Sequence, residues 1–536
     1  MENNKYEHIP AEKFEFANRD REIHDEKLQT KARGYFADAL IRFKKNKSSV
    51  AAAFIIGFLV LFAIVAPIIS PYTMKNKDNT YAKLPPFIES IAEKGWGILD
   101  GSVTYDSQSQ FQLNNLYAMG VETGKNPVIS VPAYKTEEEI YRGKPRTVNY
   151  YEVEVNAYYA KGMSIMIVSE EEFYKIQQWQ NENGIQVLYP CMENKDIYPT
   201  VKANNLPKTK NANVWWVCKD TKNTPKTSDG KDDNVDNRIP AYSTNQDLLG
   251  KAGNRLTYDS LRIDGDPAKD NSSADGYVYG IKKSGSVEVR VFYYNYYQYK
   301  NNCTPTYLFG TDVMGRDLFL AIGMGARFSL IFAIVVSAIN LTIGAIYGAI
   351  QGYYGGLIDL TLDRISDILS GVPFMIVATL FQLHLAQKVG PVVSFLFAFV
   401  LTGWIGMAAL TRKQFYRFKS QEYVMAARTL GAGDRRLMFK HIFPNAIGTM
   451  ITSCALVIPG VISSETSLTY LGIINLDSFV GTSIGSLVAD GRAAISSAPH
   501  AMLYPSLFIS LLLISFNLFG NGLRDAFNPS MRGADE

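Results

Sequence analysis

Residues 422–446 read EYVMAARTLGAGDRRLMFKHIFPNA, and this stretch decides how the rest of the chain is understood. Tyr423, Ala426, Ala427 and Leu430 recur at helical spacing, and Gly431 and Gly433 then break the pattern. A glycine just past the last periodic residue stops a helix, because it adopts a left-handed backbone without a Cβ clash. A basic stretch and Pro444 follow, and from Arg412 to His441 eight Lys or Arg face two acids. Between two apolar runs, this predicts a short helix lying on the cytoplasmic membrane face, a stop at the glycines, and a second helix re-entering the bilayer. An ordinary positive-inside loop is the plainer reading of the same charges.

The neighbouring runs set the class. The mean hydropathy of −0.05 is that of a soluble protein, but the apolar residues are segregated. Residues 50–70 carry no charge over 21 positions, enough for a helix to cross a hydrocarbon core of roughly 30 Å. Further spans are expected at 328–350, 365–386, 390–410, 446–462 and 501–518, giving six, with Pro373 and Pro459 inside two of them. The first span starts far into the chain without a small-residue cleavage site, so it reads as an anchor. Lys31, Arg33, Arg42, Lys44, Lys45 and Lys47 precede it, opposed only by Asp38. That bias puts the N-terminus in the cytoplasm, and six spans return the C-terminus there. One segment resists: 353–371 should be cytoplasmic, yet sets Arg364 against Asp359, Asp363 and Asp367. A net charge of +3 gives no case for a nucleic-acid partner.

These spans divide the chain into a cytoplasmic segment 1–48, a first span 49–70, an inserted domain 71–306 and a core 307–536 holding five spans and the loop 411–445. Within the first segment, Phe36, Ala39, Leu40 and Phe43 predict an amphipathic helix, lying on the membrane or packed on a partner. The insertion falls outside by topology and reads as mixed α/β. Strands are expected at 147–156, 164–169, 185–189 and 213–217, a helix at 170–183, an exposed loop at 221–240 and a hairpin at 276–299 turning near Lys283-Ser284-Gly285. The tyrosines Tyr293, Tyr294, Tyr296 and Tyr297 would then stand on a strand, as a contact surface for an external partner or as the domain's own core. Cys191, Cys218 and Cys303 allow one disulfide, Cys191–Cys218 among the choices, or none.

No phosphate-binding GxxxxGK[ST] loop, HExxH or GxSxG occurs, and His8, His24, His384, His441 and His500 show no metal-ligand spacing. Any ATP hydrolysis must therefore come from another subunit. Gly344, Gly348 and Gly352 form a small-residue row that lets another helix approach closely in lipid. Glu465 stands among Ser463, Ser464, Thr466, Ser467 and Thr469, either lining a water-filled path or lying at the interface in water. Asn340, Gln382, His384 and Asn517 are polar positions inside spans, suited to interhelical hydrogen bonds.

Other strings are more specific. They are Gly310-Thr311-Asp312 with Gly315-Arg316-Asp317, Gly325-Ala326-Arg327-Phe328-Ser329-Leu330, Gly352-Tyr353-Tyr354-Gly355-Gly356, Leu468-Thr469-Tyr470-Leu471-Gly472, Ala489-Asp490-Gly491-Arg492 and Asn517-Leu518-Phe519-Gly520. The charged residues of the first string suit local caps and ion pairs. With 422–446, the set resembles the C-type permease subunit of oligopeptide and dipeptide ABC importers, over residues 307–532 and the first span. The loop 422–446 matches that family's EAA loop, with Met425-Ala426-Ala427 where the family has Glu-Ala-Ala.

The resemblance implies an α-helical polytopic membrane protein with six transmembrane helices of the type I ABC importer kind, to which an α/β extracytoplasmic domain has been added. It implies a bacterial cell-membrane permease that lacks its own ATPase site and binds no cofactor or metal, the ATP and Mg belonging to partners. Those partners are a second permease, two cytoplasmic ATPases, an external peptide-binding protein, the peptide and membrane lipid. Glu422, Tyr423, Ala426, Ala427, Leu430 and Gly431 would form the ATPase-coupling site, with Glu465 and Asn517 on the translocation path. A membrane receptor and a membrane-embedded hydrolase are the rival classes. The first would need a cytoplasmic signalling domain and the second a nucleophile or metal set, and neither is recognisable.

Overall fold

The computed structural model describes residues 35–141, 143–189, 192–193, 277–278, 280–283, 285–476 and 481–527. The chain enters through α1 (Tyr35–Lys45) and α2 (Lys47–Ile69), joined at Asn46, whose side chain accepts a hydrogen bond from the Ser49 amide. In α1, Ala39 and Phe43 are buried while Leu40 is turned out. Phe43 meets Phe519 of the last helix edge-on at 5.4 Å, so part of the apolar face packs on the chain itself.

Among the described residues the insertion holds two small antiparallel sheets and a third, two-stranded pairing of Met192–Glu193 with Tyr277–Val278. Its elements are β1 (Ser102–Ser109), α3 (Gln110–Thr123), β2 (Val128–Tyr141), β3 (Lys144–Asn156), β4 (Met163–Ser169), α4 (Glu170–Asn183), β5 (Leu188–Tyr189), β6 (Gly280–Lys283), β7 (Ser286–Phe292) and α5 (Tyr293–Asn301). The first sheet runs β1-β3-β2, and in the second β7 lies between β4 and β5 and also pairs with β6. Helix α4 has the expected bounds, because Ser169 caps its start and Gly184 closes its end in the left-handed region. The strands read at 147–156 and 164–169 lie within β3 and β4, and that at 185–189 shortens to β5. The strand at 213–217, the loop at 221–240, Cys191 and Cys218 lie outside the described residues.

The hairpin is corrected. It closes within β6 and β7, and Tyr293–Asn301 is helical rather than a strand. Tyr293, Tyr294, Tyr296 and Tyr297 are all buried. Tyr81 packs on Tyr293 at 5.0 Å and on Tyr297 at 5.1 Å, an i, i+4 pair that a strand would have split between two faces. The tyrosines are thus the domain's own core. Burial pushes the hydroxyls of Tyr293 and Tyr297 well above the usual tyrosine range, keeping them protonated. Tyr293 donates to Asp78, and the Tyr297 and Tyr307 hydroxyls meet at 2.7 Å.

The core follows as α6 (Leu318–Tyr354), α7 (Gly356–Ser370), α8 (Phe374–His384), α9 (Pro391–Gly403), α10 (Ile405–Lys419), α11 (Glu422–Thr429), α12 (Phe443–Tyr470), α13 (Ile484–Ala493) and α14 (His500–Phe527). Among the described residues five helical segments are long and apolar enough to cross a membrane: Lys47–Ile69, Leu318–Tyr354, Pro391–Lys419, Asp434–Tyr470 and His500–Phe527. The expected third span is instead the pair α7 and α8, bent by 72°, which makes a sixth only if the pair counts as one. Pro373 accounts for the break, since proline cannot donate to the preceding turn and disfavours helix in the residue before it.

Candidate functional site

Helix α11 is short and held by little. Val424 is fully buried against Leu437, Ile442, Phe415 and Tyr353, with Ala427 and Ala432 at the edge of that cluster. Its end is a Schellman stop: the Ala432 amide donates to the Ala427 carbonyl at 3.0 Å and the Gly431 amide to Arg428 at 2.9 Å. Gly431 takes φ +85°, with open space where a Cβ would be. The apolar stripe seen in the sequence does not anchor the helix. Glu422, Tyr423, Ala426 and Leu430 are exposed and Ala427 is half-buried. Leu430 is 88% exposed, and Met425 beside them is 50% exposed. The packing side is Val424, so the helix presents an uncovered apolar face.

The chain clamps this helix from the end of α6. The Tyr353 hydroxyl donates to Asp434 at 2.5 Å, and the Arg428 guanidinium lies 5.9 Å from the Tyr353 ring. Asp434 opens the next helical stretch, Asp434–Arg436, which widens into a π-helical turn at Leu437–Ile442 before α12. Tyr353 therefore ties α6, α11 and the approach to α12 together. Nearby, Arg412 bonds Asp359 and Asp363 at 2.7 Å each, and Tyr416 also donates to Asp359. The surplus acids of 353–371 are thus matched by a cation from the loop's other border.

At the other end of α6, the 310–317 string joins the insertion to the core. Thr311 donates to the Tyr81 carbonyl and accepts from the Leu84 amide at 2.8 Å. Arg316 pairs with Asp312 at 2.5 Å, both buried, and donates to the Gly481 carbonyl at 3.1 Å. Asp317 caps α6 through the Phe319 and Leu320 amides and accepts from Ser70 at 2.9 Å. These are the caps and ion pairs expected of the string, extended to the insertion and to the segment before α13.

Arg327 has a role that sequence reasoning missed. Pro67 lies inside α2 and leaves the Ala63 carbonyl without its intrahelical donor. Arg327 donates to that carbonyl at 3.4 Å and to Ile64 at 3.1 Å. A proline in an apolar span paired with an arginine in the next is the signal that could have found it.

Glu465 and Asn517 do not share a surface. Glu465 has no accessible area: Ser329 donates to it at 3.0 Å, and Thr469 and Thr466 lie at 3.4 and 3.5 Å. Its carboxylate thus meets hydroxyls rather than open water. Asn517 is exposed on α14, its amide donating to Leu513 at 2.9 Å. Among the described residues no group of three or more His, Cys, Asp or Glu is placed to hold a metal ion.

Comparison with known proteins bears on this arrangement. Residues 340–533 match the family described as the binding-protein-dependent transport system inner membrane component. Residues 34–86 match the N-terminal transmembrane domain of oligopeptide transport permease C. The oligopeptide transport system permease protein OppC of Bacillus subtilis is 39% identical over 227 residues, 42% of this chain and 72% of that one. The dipeptide transport system permease protein DppC of the same organism is 37% identical over 225 residues, 42% and 69% of the two chains. OppC of Haemophilus influenzae is 38% identical over 229 residues, 42% and 71%.

Proposed function

Because the chain belongs to the family of oligopeptide and dipeptide ABC permease subunits, we propose that α11 is the element through which cytoplasmic ATPases drive it. The chain is the transmembrane permease subunit of an ATP-driven peptide importer. In this reading it forms half of a path completed by a second permease, with two ATPases inside and a peptide-binding protein outside. The carrying observation is the uncovered face of Tyr423, Met425, Ala426 and Leu430 on a helix clamped by Tyr353. Closure of the ATPase pair pushes that face, Tyr353 and Asp434 pass the displacement to α6 and α12, and the permease pair opens outward. ATP hydrolysis resets it. Glu465 takes part by tying α12 to α6 through Ser329, and Asn517 by facing the space beside α14.

Gly431→Val tests the coupling. The residue holds φ +85° with nothing within 4 Å, so the strain of about 1–2 kcal/mol is conformational and local. We expect peptide uptake to fall at least tenfold while ATPase subunits still co-purify, with Gly431→Asn, which tolerates this backbone better, intermediate. Uptake at the unaltered level in Gly431→Val would refute the coupling role.

The orientation has both termini and α11 inside and the insertion outside. Its support is the basic bias of 411–445 and the placement of the insertion and α11 at opposite ends of the 37-residue α6. In a chain without native cysteines, a membrane-impermeant thiol reagent on intact cells is expected to label Ile140→Cys and to spare Met425→Cys. Both positions are exposed, at 82% and 50%, so access to the side chain does not decide the outcome. The reverse pattern would invert the topology.

A further inference from the structure

Beside α11 lies a cleft of which the coupling role uses only Asp434. This open cleft of about 740 Å³ is lined by Gly433, Asp434, Arg435, Arg436, Phe439, Lys440 and Pro444. Arg435, Arg436 and Lys440 are exposed. None of the three is held in an ion pair among the described residues. The one acid of the lining, Asp434, accepts the Tyr353 hydroxyl. The cleft thus offers three cations on the approach to a membrane-spanning helix, where a basic cluster meets headgroups.

A second cavity adjoins it. A groove of about 370 Å³ runs between α6 and α12, bordered by Leu341, Ala345, Ile346, Phe443, Ile447 and Met450. Phe439 lines both cavities, and Phe439 and Phe443 sit 6.3 Å apart at the join. Both rings belong to or follow the π-helical turn Leu437–Ile442. Such a turn re-aims side chains relative to an α-helix and recurs at functional positions. A cleft edged by three cations, sharing Phe439 with an apolar groove between two helices long and apolar enough to span a membrane, has the two-part chemistry of a phospholipid.

We infer that this is a binding site for an anionic phospholipid, whose phosphate is held by Arg435, Arg436 and Lys440 and whose acyl chain lies between α6 and α12. Charge complementarity selects the headgroup, and the groove selects a molecule with a chain attached. The occupant braces the π-helical turn between α11 and α12, which makes transport depend on acidic lipid. This last step rests on the coupling role of α11, whereas the binding itself does not.

The test uses the assembled transporter, with its second permease and ATPases, in membranes of phosphatidylcholine with or without phosphatidylglycerol. Phosphatidylglycerol carrying a photoreactive group on its acyl chain is expected to label the groove segment Ile447–Ile451. R435Q/R436Q/K440Q should lower its retention roughly a hundredfold, from three basic residues each contributing near the surface. Ile447→Trp, which fills the groove and keeps the charges, should abolish labelling while the complex stays assembled. Equal retention by the triple variant would overturn the site. So would displacement of the lipid by glycerol 3-phosphate at equal concentration, which would mark a soluble-phosphate site. Cross-linking of Ile451→Cys to the second permease in place of the lipid would also overturn it. If lipid binds as described but uptake does not depend on it, the bracing of α11 fails and the site stands.

Discussion

Leu430→Asp is expected to abolish ATP-driven peptide uptake while leaving the chain folded, inserted and bound to its second permease. The side chain is 88% exposed and ends a helix whose anchoring residue is Val424, on another face. Exposed substitutions of this kind change stability by about 0.5 kcal/mol or less. Any large effect must therefore come from a partner that covers the residue. Truncating an interface hot spot costs about 2 kcal/mol or more, roughly thirtyfold in affinity. A carboxylate buried there without a partner costs more than truncation. ATPase subunits should fail to co-purify with the aspartate variant and remain with Leu430→Met. Retained uptake in Leu430→Asp would remove α11 from the coupling path.

What the sequence made legible follows from the range of the interactions involved. Helix α4 was readable to the residue because Ser169 and Gly184 are local start and stop signals. The spans were readable as runs, but their ends were not. Residues 328–350 extend to Leu318–Tyr354 because the cap is Asp317, well before the uncharged run begins at Phe328. The bend between α7 and α8 was hidden by hydropathy, which cannot separate one span from two short apolar helices around Pro373. The tyrosine run misled for a different reason. Tyr293, Tyr294, Tyr296 and Tyr297 have high strand propensity, and contacts with Tyr81 and Tyr307, more than two hundred positions away in one case, set the helix instead.

The coupling residues were legible as a motif, but not which of their faces packs. An apolar stripe on a short helix usually marks the buried side. Here Val424 is buried and Leu430 is open, and only the three-dimensional position of Leu437 and Phe415 distinguishes them. Tyr353 was legible as part of a string and not as a clamp, because its partners Arg428 and Asp434 lie 75 and 81 positions away. Arg327 was missed since its partners are backbone carbonyls of another helix, one of them left without its donor by a proline.

Gly348→Leu is expected to cost the chain its folded state in the membrane. A Cβ at this position would lie 2.2 Å from the Ala408 carbonyl oxygen and 2.8 Å from the Thr411 Cβ. Gly344 and Gly352 meet Trp404 and Arg412 backbone in the same way, so the row is the line along which α6 and α10 touch. In lipid the two helices gain nothing from leaving water, and close dispersion contact holds them together. A leucine must push them apart along the whole row, at well over the roughly 1–3 kcal/mol of ordinary overpacking. We expect membrane yield to fall fivefold or more. Gly57→Leu provides the control, since that glycine has open space in place of a Cβ on another apolar span. Equal yields of the two variants would show that the row does not hold the helices. Gly348→Ala should fall between the two, because alanine carries the same Cβ 2.2 Å from the Ala408 carbonyl oxygen and must part α6 from α10 at that point, without the bulk that spreads them along the row. A yield for Gly348→Ala equal to that of Gly57→Leu would show that the close approach at this position is not needed.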